Sequence, residues 1–543
     1  MRAFNLIDEP WIMVRCRDGK VKSVSLKETL LSSHTFSGLA GETKTQDFAL
    51  FRLMLAVLYT VFSRYDFDGQ EIEADDMQEF ALDCWKEIWD TGKLPAAPIE
   101  RYLTEWHERF WLFDDEFPFY QTKAVEDRKE CSTAKLIGTL FESDNKTRLF
   151  SDRSPEGRNL SFAEAARWLV NLNQFDDIAS KPTPKQTWCG KLSMIALIGD
   201  SLFQTLMLNY RADYDATREK AELPAWETDR RQITFNQQIA VPDNQAALLT
   251  LQSRNLLLCV KNGMVCAFKQ IGGDWFEEEA VFDEQMTLWS GYQDKKAPHP
   301  EFKPKRYDST KLIWQEFPSI SALAVTQKDT GHCIRPVGIV EWLNDLLKYG
   351  FLSDNYVVKI CNAAVIYNHG QPASRPVMDA VSDSVSFHAK LLEDIGSAWR
   401  RKIIEEIGKS EKAAHDVYVL CQNLQRACGK MKTDPKKKEI IEQEKRDAKR
   451  EYYARIDRPF RLWLADLDPE SDREEYAGKL EYILRRTAIS LGRELAGQIG
   501  AQAIFGSSIM SSAQALNIFE GAVNKLFVAA KEYQPEVKEI EQT

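Results

Sequence analysis

Leu480-Glu481-Tyr482-Ile483-Leu484-Arg485-Arg486-Thr487-Ala488-Ile489-Ser490-Leu491-Gly492-Arg493-Glu494-Leu495 places apolar side chains at 480, 484, 488, 491 and 495. Steps of three and four put them on one face of an α-helix, the stripe of a helix packed against other helices. Similar helical stretches are expected over 385–407, 411–431 and 512–533. Four such helices with short connections fit an antiparallel bundle. Asp434-Pro435 and Asp468-Pro469 are natural breaks, because the residue before a proline is pushed out of helical geometry. Residues 430–450 hold nine basic and five acidic side chains. That run reads as a solvated helical face, or alternatively as a contact for phosphates or an acidic partner.

Upstream of about residue 385 the character changes. Turn signals at Arg17-Asp18-Gly19-Lys20, Lys261-Asn262-Gly263 and Ile271-Gly272-Gly273-Asp274 separate short β-type runs. Leu256–Val260 and Met264–Phe268 around Asn262-Gly263 read as a hairpin, since Asn-Gly supplies the two positive φ angles of a tight turn. Helices are expected over 47–62 and 161–172, the second opening with Ser161 as N-cap and Glu164 at the capping-box position. Strands and helices do not alternate regularly. The expected class is therefore α+β: a large mixed N-terminal domain, 1–384, followed by an all-α four-helix bundle, 385–543.

The 543 residues carry a formal charge of −11, which argues against a chain that coats nucleic acid through a general basic surface. The acidity is uneven: residues 1–384 carry net −12 and residues 385–543 net +1. Apolar residues form 44% and charged residues 28%, an ordinary globular balance. The longest apolar run, Leu53 to Phe62 interrupted by Thr60, is about half a membrane span. No membrane segment is expected, and no membrane partner. The opening MRAFNLIDEPWI puts Asp8 and Glu9 where a signal peptide is apolar, so the expected location is the reducing cytoplasm. Ten cysteines with no C-x-x-C read as free thiols rather than as a zinc site.

Enzyme signatures are missing. Cys189-Gly190-Lys191-Leu192 lacks the Ser or Thr and the upstream Gly of a phosphate loop. No G-x-G-x-x-G, H-E-x-x-H or G-x-S-x-G occurs, and the seven histidines never pair at metal-ligand spacing. His107 reads as a packed or surface residue. Asp114, Asp115 and Glu116 would suit a divalent cation, which keeps a metal-dependent nucleic-acid-processing enzyme as one alternative. A scaffold whose bundle only bridges other proteins is another. Three loops rich in small, amide and cationic side chains stand out instead: Tyr367 to Ser374, containing Asn368 and Gln371; Gly291 to Lys296, containing Lys295 and Lys296; and Ile178 to Lys181, containing Ala179 and Ser180. Amides and ammonium groups at loop tips contact base edges and phosphates, and small residues allow close backbone approach.

Asn5-Leu6-Ile7-Asp8-Glu9-Pro10-Trp11-Ile12 resembles the opening strand of the CasA family, the large subunit of the type I-E CRISPR Cascade surveillance complex. Phe117-Pro118-Phe119-Tyr120-Gln121-Thr122, Leu251-Gln252-Ser253-Arg254 and the Gln-bearing turn before the bundle are similar to later family landmarks and occur in the same order. The resemblance implies a non-enzymatic subunit that recognises the protospacer-adjacent motif in target double-stranded DNA. It would help start unwinding and recruit the CRISPR nuclease-helicase for antiviral defence. Its implied partners are the other Cascade protein subunits and the CRISPR guide RNA, with no cofactor and no metal. In the family a glutamine wedge, a lysine finger and a small-residue loop probe the motif from the minor groove. Here they map onto Gln371 with Asn368 nearby, onto Lys296 with Lys295 as the alternative, and onto Ala179, Ser180 and Lys181. A loop approaching the 5′ handle of the guide RNA maps onto Phe150, with Arg158 in the same loop.

Overall fold

The computed structural model describes residues 2–72, 77–138, 158–175, 185–212, 221–277, 284–292, 300–308, 310–321, 325–326, 332–353, 355–367, 377–429, 435–499 and 510–531. The fold is α+β with a helical C-terminal region, as the sequence implied. The chain forms two compact units: one comprises 1–309, 324–351 and 359–384, the other 310–323, 352–358 and 385–543.

The first unit is built around the Lys44–Phe62 helix. Thr43 caps it by accepting a hydrogen bond from the Gln46 N–H, and every residue from Thr45 to Phe62 is buried. This is the segment closest to a membrane span by length and composition, yet protein covers it completely. A helix apolar on all sides belongs in a core. It packs against the Phe162–Phe175 and Gln245–Leu249 helices. The expected capping box is present: the Glu164 N–H donates to Ser161 Oγ, and Glu164 Oε2 accepts from the Ser161 N–H at 3.1 Å. The expected hairpin is present as well. Arg254–Lys261 pairs antiparallel with Met264–Gly272, and Asn262 and Gly263 take φ of +54° and +73°. Cys131–Ser132 adds a third strand. A second sheet places Ile12–Cys16 between Val21–Val24 and Phe36–Leu39. Ala3–Asn5 pairs with Trp111–Phe113, and the opening motif turns inward: Asn5 Oδ1 accepts from the Ile7 N–H at 2.9 Å, and Trp11 Nε1 donates to the Leu6 carbonyl at 2.9 Å.

The second unit contains the helices Ser397–Ala427, Pro435–Ala465, Arg473–Gly497 and Ser512–Leu526. Leu480, Leu484 and Ala488 are fully buried and Leu491 nearly so. Gly492 lets two helices approach closely, because a Cβ there would lie 2.4 Å from the Phe519 ring. The helix boundaries differ from expectation. The two segments expected over 385–407 and 411–431 form one 31-residue helix, and Val385–His388 closes the Val377–His388 strand. Gly408-Lys409-Ser410 does not break the helix. Lys409 ties itself to the preceding turn through Glu405 and Glu406 at 2.7 and 2.8 Å, and Ser410 donates to the Ile407 carbonyl at 2.7 Å. The fourth member of the bundle is instead the charged stretch after Asp434, whose Pro435 occupies the first helical position, where a missing N–H does no harm. Earlier sequence also joins this unit: Trp314 stacks on Phe460 at 4.0 Å and donates to Asp457 at 2.9 Å.

Lys409 also reaches Glu481 at 2.6 Å, so one ammonium group serves two buried carboxylates. Burial pushes the Glu406 carboxyl up to about 7; its bond to Lys409 works against this, and the neighbouring Glu481 adds to it. A folded-state value above the unfolded one stabilises at low pH, and that contribution is lost as pH rises through about 7. Thermal unfolding followed by helical circular dichroism is therefore expected to show wild type losing stability relative to Glu406→Gln between about pH 4.5 and about pH 7, with little further change above that. Parallel pH curves for the two proteins would refute this.

Candidate nucleic-acid interface

Met194–Leu197 is a short strand buried at every position. On one edge Val357–Tyr367 runs antiparallel to it, pairing Ile360 with Leu197 and Ala363 with Met194. That strand therefore continues beyond the amino end of Met194–Leu197 before reaching 368–376, and Val377–His388 returns beside it in the same sheet. On the other edge lies 286–288, also antiparallel: Ile195 N–H donates to the Met286 carbonyl at 2.8 Å and Leu288 N–H to Ser193 at 3.3 Å. Trp289–Tyr292 follows at once and pairs antiparallel with Glu301–Pro304, with 293–299 as their connection. A third segment, 176–184, begins where Phe162–Phe175 ends and returns through Trp188 and Leu192 into the same strand. Cys189 Sγ and Gln174 Oε1, 3.0 Å apart, join its two ends. Two chain excursions thus leave past the amino end of one buried strand, and the chain returns into that end from the third.

A buried ion pair fixes two of them to the core. Arg52, in the central helix, donates to both carboxylate oxygens of Glu284 at 2.9 and 3.0 Å, and both side chains are essentially inaccessible to water. Trp188 Nε1 donates to Glu284 Oε2 at 2.8 Å, and the Met286 N–H to Oε1 at 3.2 Å. Burial alone would lower the Arg52 pKa, but the surrounding acidic groups, Glu284 among them, raise it, so the guanidinium stays charged. Burial pushes the adjacent Cys189 thiol up to about 12, so it is an unreactive packing group. Nothing local in the sequence marks this hub, whose charged partners lie 232 positions apart.

Gln371, Asn368, Lys295, Lys296, Ala179, Ser180, Lys181 and Phe150 lie outside the described residues. The described residues flanking the first seven belong to the three excursions just outlined. Arg158 is described: it is exposed, its guanidinium pairs with Glu164 at 2.7 Å, and its carbonyl accepts from Thr133. It precedes the amino end of the 14-residue Phe162–Phe175 helix, about 20 Å from the 176–184 end at 1.5 Å per residue. Lys303, Lys305 and Arg306 on the return arm of 293–299 were not anticipated, although the run Lys303-Pro304-Lys305-Arg306 is a legible basic signal. Backbone bonds from Lys305 to Leu288 and from Ser193 to Lys305 place that arm against the same strand, and Arg306 reaches Gln186 at 2.7 Å.

The acidic alternative is not assembled. Asp114 accepts from the Glu116 and Phe117 N–H groups at 2.7 and 2.9 Å and from Arg2, so it caps a turn, while Asp115 faces Lys123 at 3.1 Å. Among the described residues no three His, Cys, Asp or Glu side chains converge on a metal position. His107 is a partly exposed residue 2.8 Å from Asp8.

The model for "CRISPR-associated protein Cse1" matches residues 5–491. The chain belongs to this Cse1 family, also called CasA. A CasA/Cse1 protein of Thermus thermophilus is 30% identical over 240 residues, spanning 42% of this chain and 42% of that protein. Cse1 of Thermobifida fusca superposes with a TM-score of 0.79 at 27% identity, covering 97% of this chain and 99% of that one. A chain of a CRISPR RNA-guided surveillance complex shares the fold, with a TM-score of 0.69 at 14% identity over 96% of this chain and 100% of that one.

Proposed function

We propose that this chain is the subunit of a Cascade surveillance complex that reads the protospacer-adjacent motif, acting by binding rather than catalysis. The observation that supports this most is that the described residues flanking Gln371, Lys295 and Lys296, and Ala179 to Lys181 meet the amino end of one buried strand. Segments anchored beside one rigid strand can together serve a single short stretch of duplex. The minor groove offers a degenerate donor and acceptor pattern, which suits recognition of several related motifs. A side chain wedged between base steps costs a few kcal/mol of unstacking, and guide RNA pairing then propagates from the opening. Phe150 and Arg158 contact the guide RNA handle; Arg158 lies just before the amino end of the Phe162–Phe175 helix. The nuclease-helicase is recruited once the target is open.

A complex purified without its large subunit is expected to gain discrimination between motif-bearing and motif-scrambled duplexes when this chain is added back. Restored binding without discrimination would leave only a scaffolding role. The net charge of −12 in residues 1–384 adds a second expectation. The isolated chain should show no strong, salt-sensitive, sequence-blind affinity for duplex DNA in anisotropy titrations, because few phosphate contacts release few counterions.

A further inference from the structure

Arg306 closes the basic run Lys303-Pro304-Lys305-Arg306, yet its guanidinium is half-buried and turned onto the protein. Its Nη2 donates to Gln186 Oε1 at 2.7 Å, across 120 positions of sequence. The two residues belong to different excursions. Gln186 lies just past 176–184, on the limb that returns into Met194–Leu197. Arg306 lies just past Glu301–Pro304, on the limb that returns from 293–299. Trp188 makes a second tie between the same excursions, since its partner Glu284 stands on the limb that leads out to 293–299. Both limbs of one segment are therefore held against the return limb of the other. The surroundings are fixed too: Lys185 lies 3.6 Å over the Trp275 ring, and Lys305 is bonded through its backbone to Leu288 and Ser193.

The Gln186 amide shows what the bond is for. Arginine only donates, so Oε1 must face Arg306 and Nε2 must point away. Nε2 is buried and has no hydrogen-bond partner among the described residues. A buried amide left unpaired is destabilising, and a leucine of similar size would avoid that loss. Side chains that break a local stability rule collect where the bond they do make serves function.

We propose that Arg306 is a positioning residue for motif recognition: through Gln186 it fixes the spacing between the limbs flanking Lys295 and Lys296 and the limb that follows Ala179 to Lys181. This rests on the motif-reading role proposed above and adds how two of the three segments are kept in step. Two groups that serve one short stretch of duplex bind it less well when their spacing is free to vary, because the ordering must then occur on binding. A guanidinium–amide bond suits the task, being charge-assisted and directional. Arg306 acts here through protein rather than through DNA.

Assembled complexes carrying Arg306→Met, Gln186→Leu or both, titrated against motif-bearing and motif-scrambled duplexes, test this. Arg306→Met is expected to lower discrimination between the two about tenfold, the factor that one charge-assisted hydrogen bond supplies. Gln186→Leu should lose about as much, and the double variant no more than either, because all three lack the same bond. Binding of the scrambled duplex and its salt dependence should match wild type, since no phosphate contact is removed. Gln186→Leu leaves no unpaired amide, so its melting temperature should hold or rise, which separates lost positioning from a folding defect. Full discrimination in both single variants, or additive losses in the double variant, would overturn the inference. Weaker scrambled binding with a shallower salt dependence in Arg306→Met would overturn it too, by making Arg306 a phosphate contact. Lys296→Ala and Gln371→Ala, measured alongside, keep the two claims apart. If they lose discrimination while the Arg306 and Gln186 variants keep it, only the positioning role falls; if they also keep it, the motif-reading role falls as well.

Discussion

Complexes carrying Gln371→Ala or Lys296→Ala are expected to bind a motif-bearing target roughly 5- to 150-fold more weakly than wild type, the equivalent of about 1–3 kcal/mol for a lost base-edge or wedge contact. The effect should be confined to the motif. Binding to a target with a scrambled motif is already weak and should change little, so the two affinities converge in each variant. Both residues belong to connections between strands, so assembly and thermal stability should be unchanged. Lys295→Ala serves as the comparison: a smaller loss there would assign the finger to Lys296, and a larger one to Lys295. Titrations of the assembled complex against paired targets check all three. Unchanged motif dependence in both Gln371→Ala and Lys296→Ala would remove these residues from the reading.

The second large effect concerns the hub beneath those loops. Arg52→Met leaves the Glu284 carboxylate buried beside Trp188 and Met286 with no counter-charge, which costs about 3–5 kcal/mol. Replacing both charges, as Arg52→Met with Glu284→Leu, should recover part of that loss, since an apolar pair of similar volume avoids the desolvation of two ions. The recovery is incomplete because Trp188 Nε1 and the Met286 N–H lose their acceptor. Hydrogen exchange at 185–193 and 284–292 reads the damage where the hub acts. The single substitution should speed exchange in both segments together, because one carboxylate ties them to the Lys44–Phe62 helix. Faster exchange in only one would show that the hub does not link them.

Local chemistry made much of the fold legible. Asn262-Gly263 demanded a two-residue turn, Ser161 and Glu164 demanded a helix start, and the 480–495 stripe demanded a partner surface; each is decided by residues close in sequence. The break expected near 408–410 failed because Lys409 binds Glu405 and Glu406 one turn back, and such pairs are one compatible reading of any charged stretch. The Arg52–Glu284 hub was invisible because its partners are brought together only by the tertiary fold. The loop residues were legible in a different way. Asn, Gly, Pro and Gln at 368–372 specify a turn and nothing more, so their role came from resemblance. What the fold adds is that the described residues flanking all three segments meet at one strand end, two leaving past it and one returning into it, a convergence no spacing in the sequence encodes.

That convergence is tested most directly by site-specific photo-cross-linking. With p-benzoylphenylalanine in place of His369, beside Gln371, or of Asp294, beside Lys295 and Lys296, in an assembled complex bound to a target, both positions should cross-link to nucleotides of the protospacer-adjacent motif or the base step beside it. The cross-links should vanish when the motif is scrambled. Cross-links that fall elsewhere on the DNA, or that persist without the motif, would contradict the account.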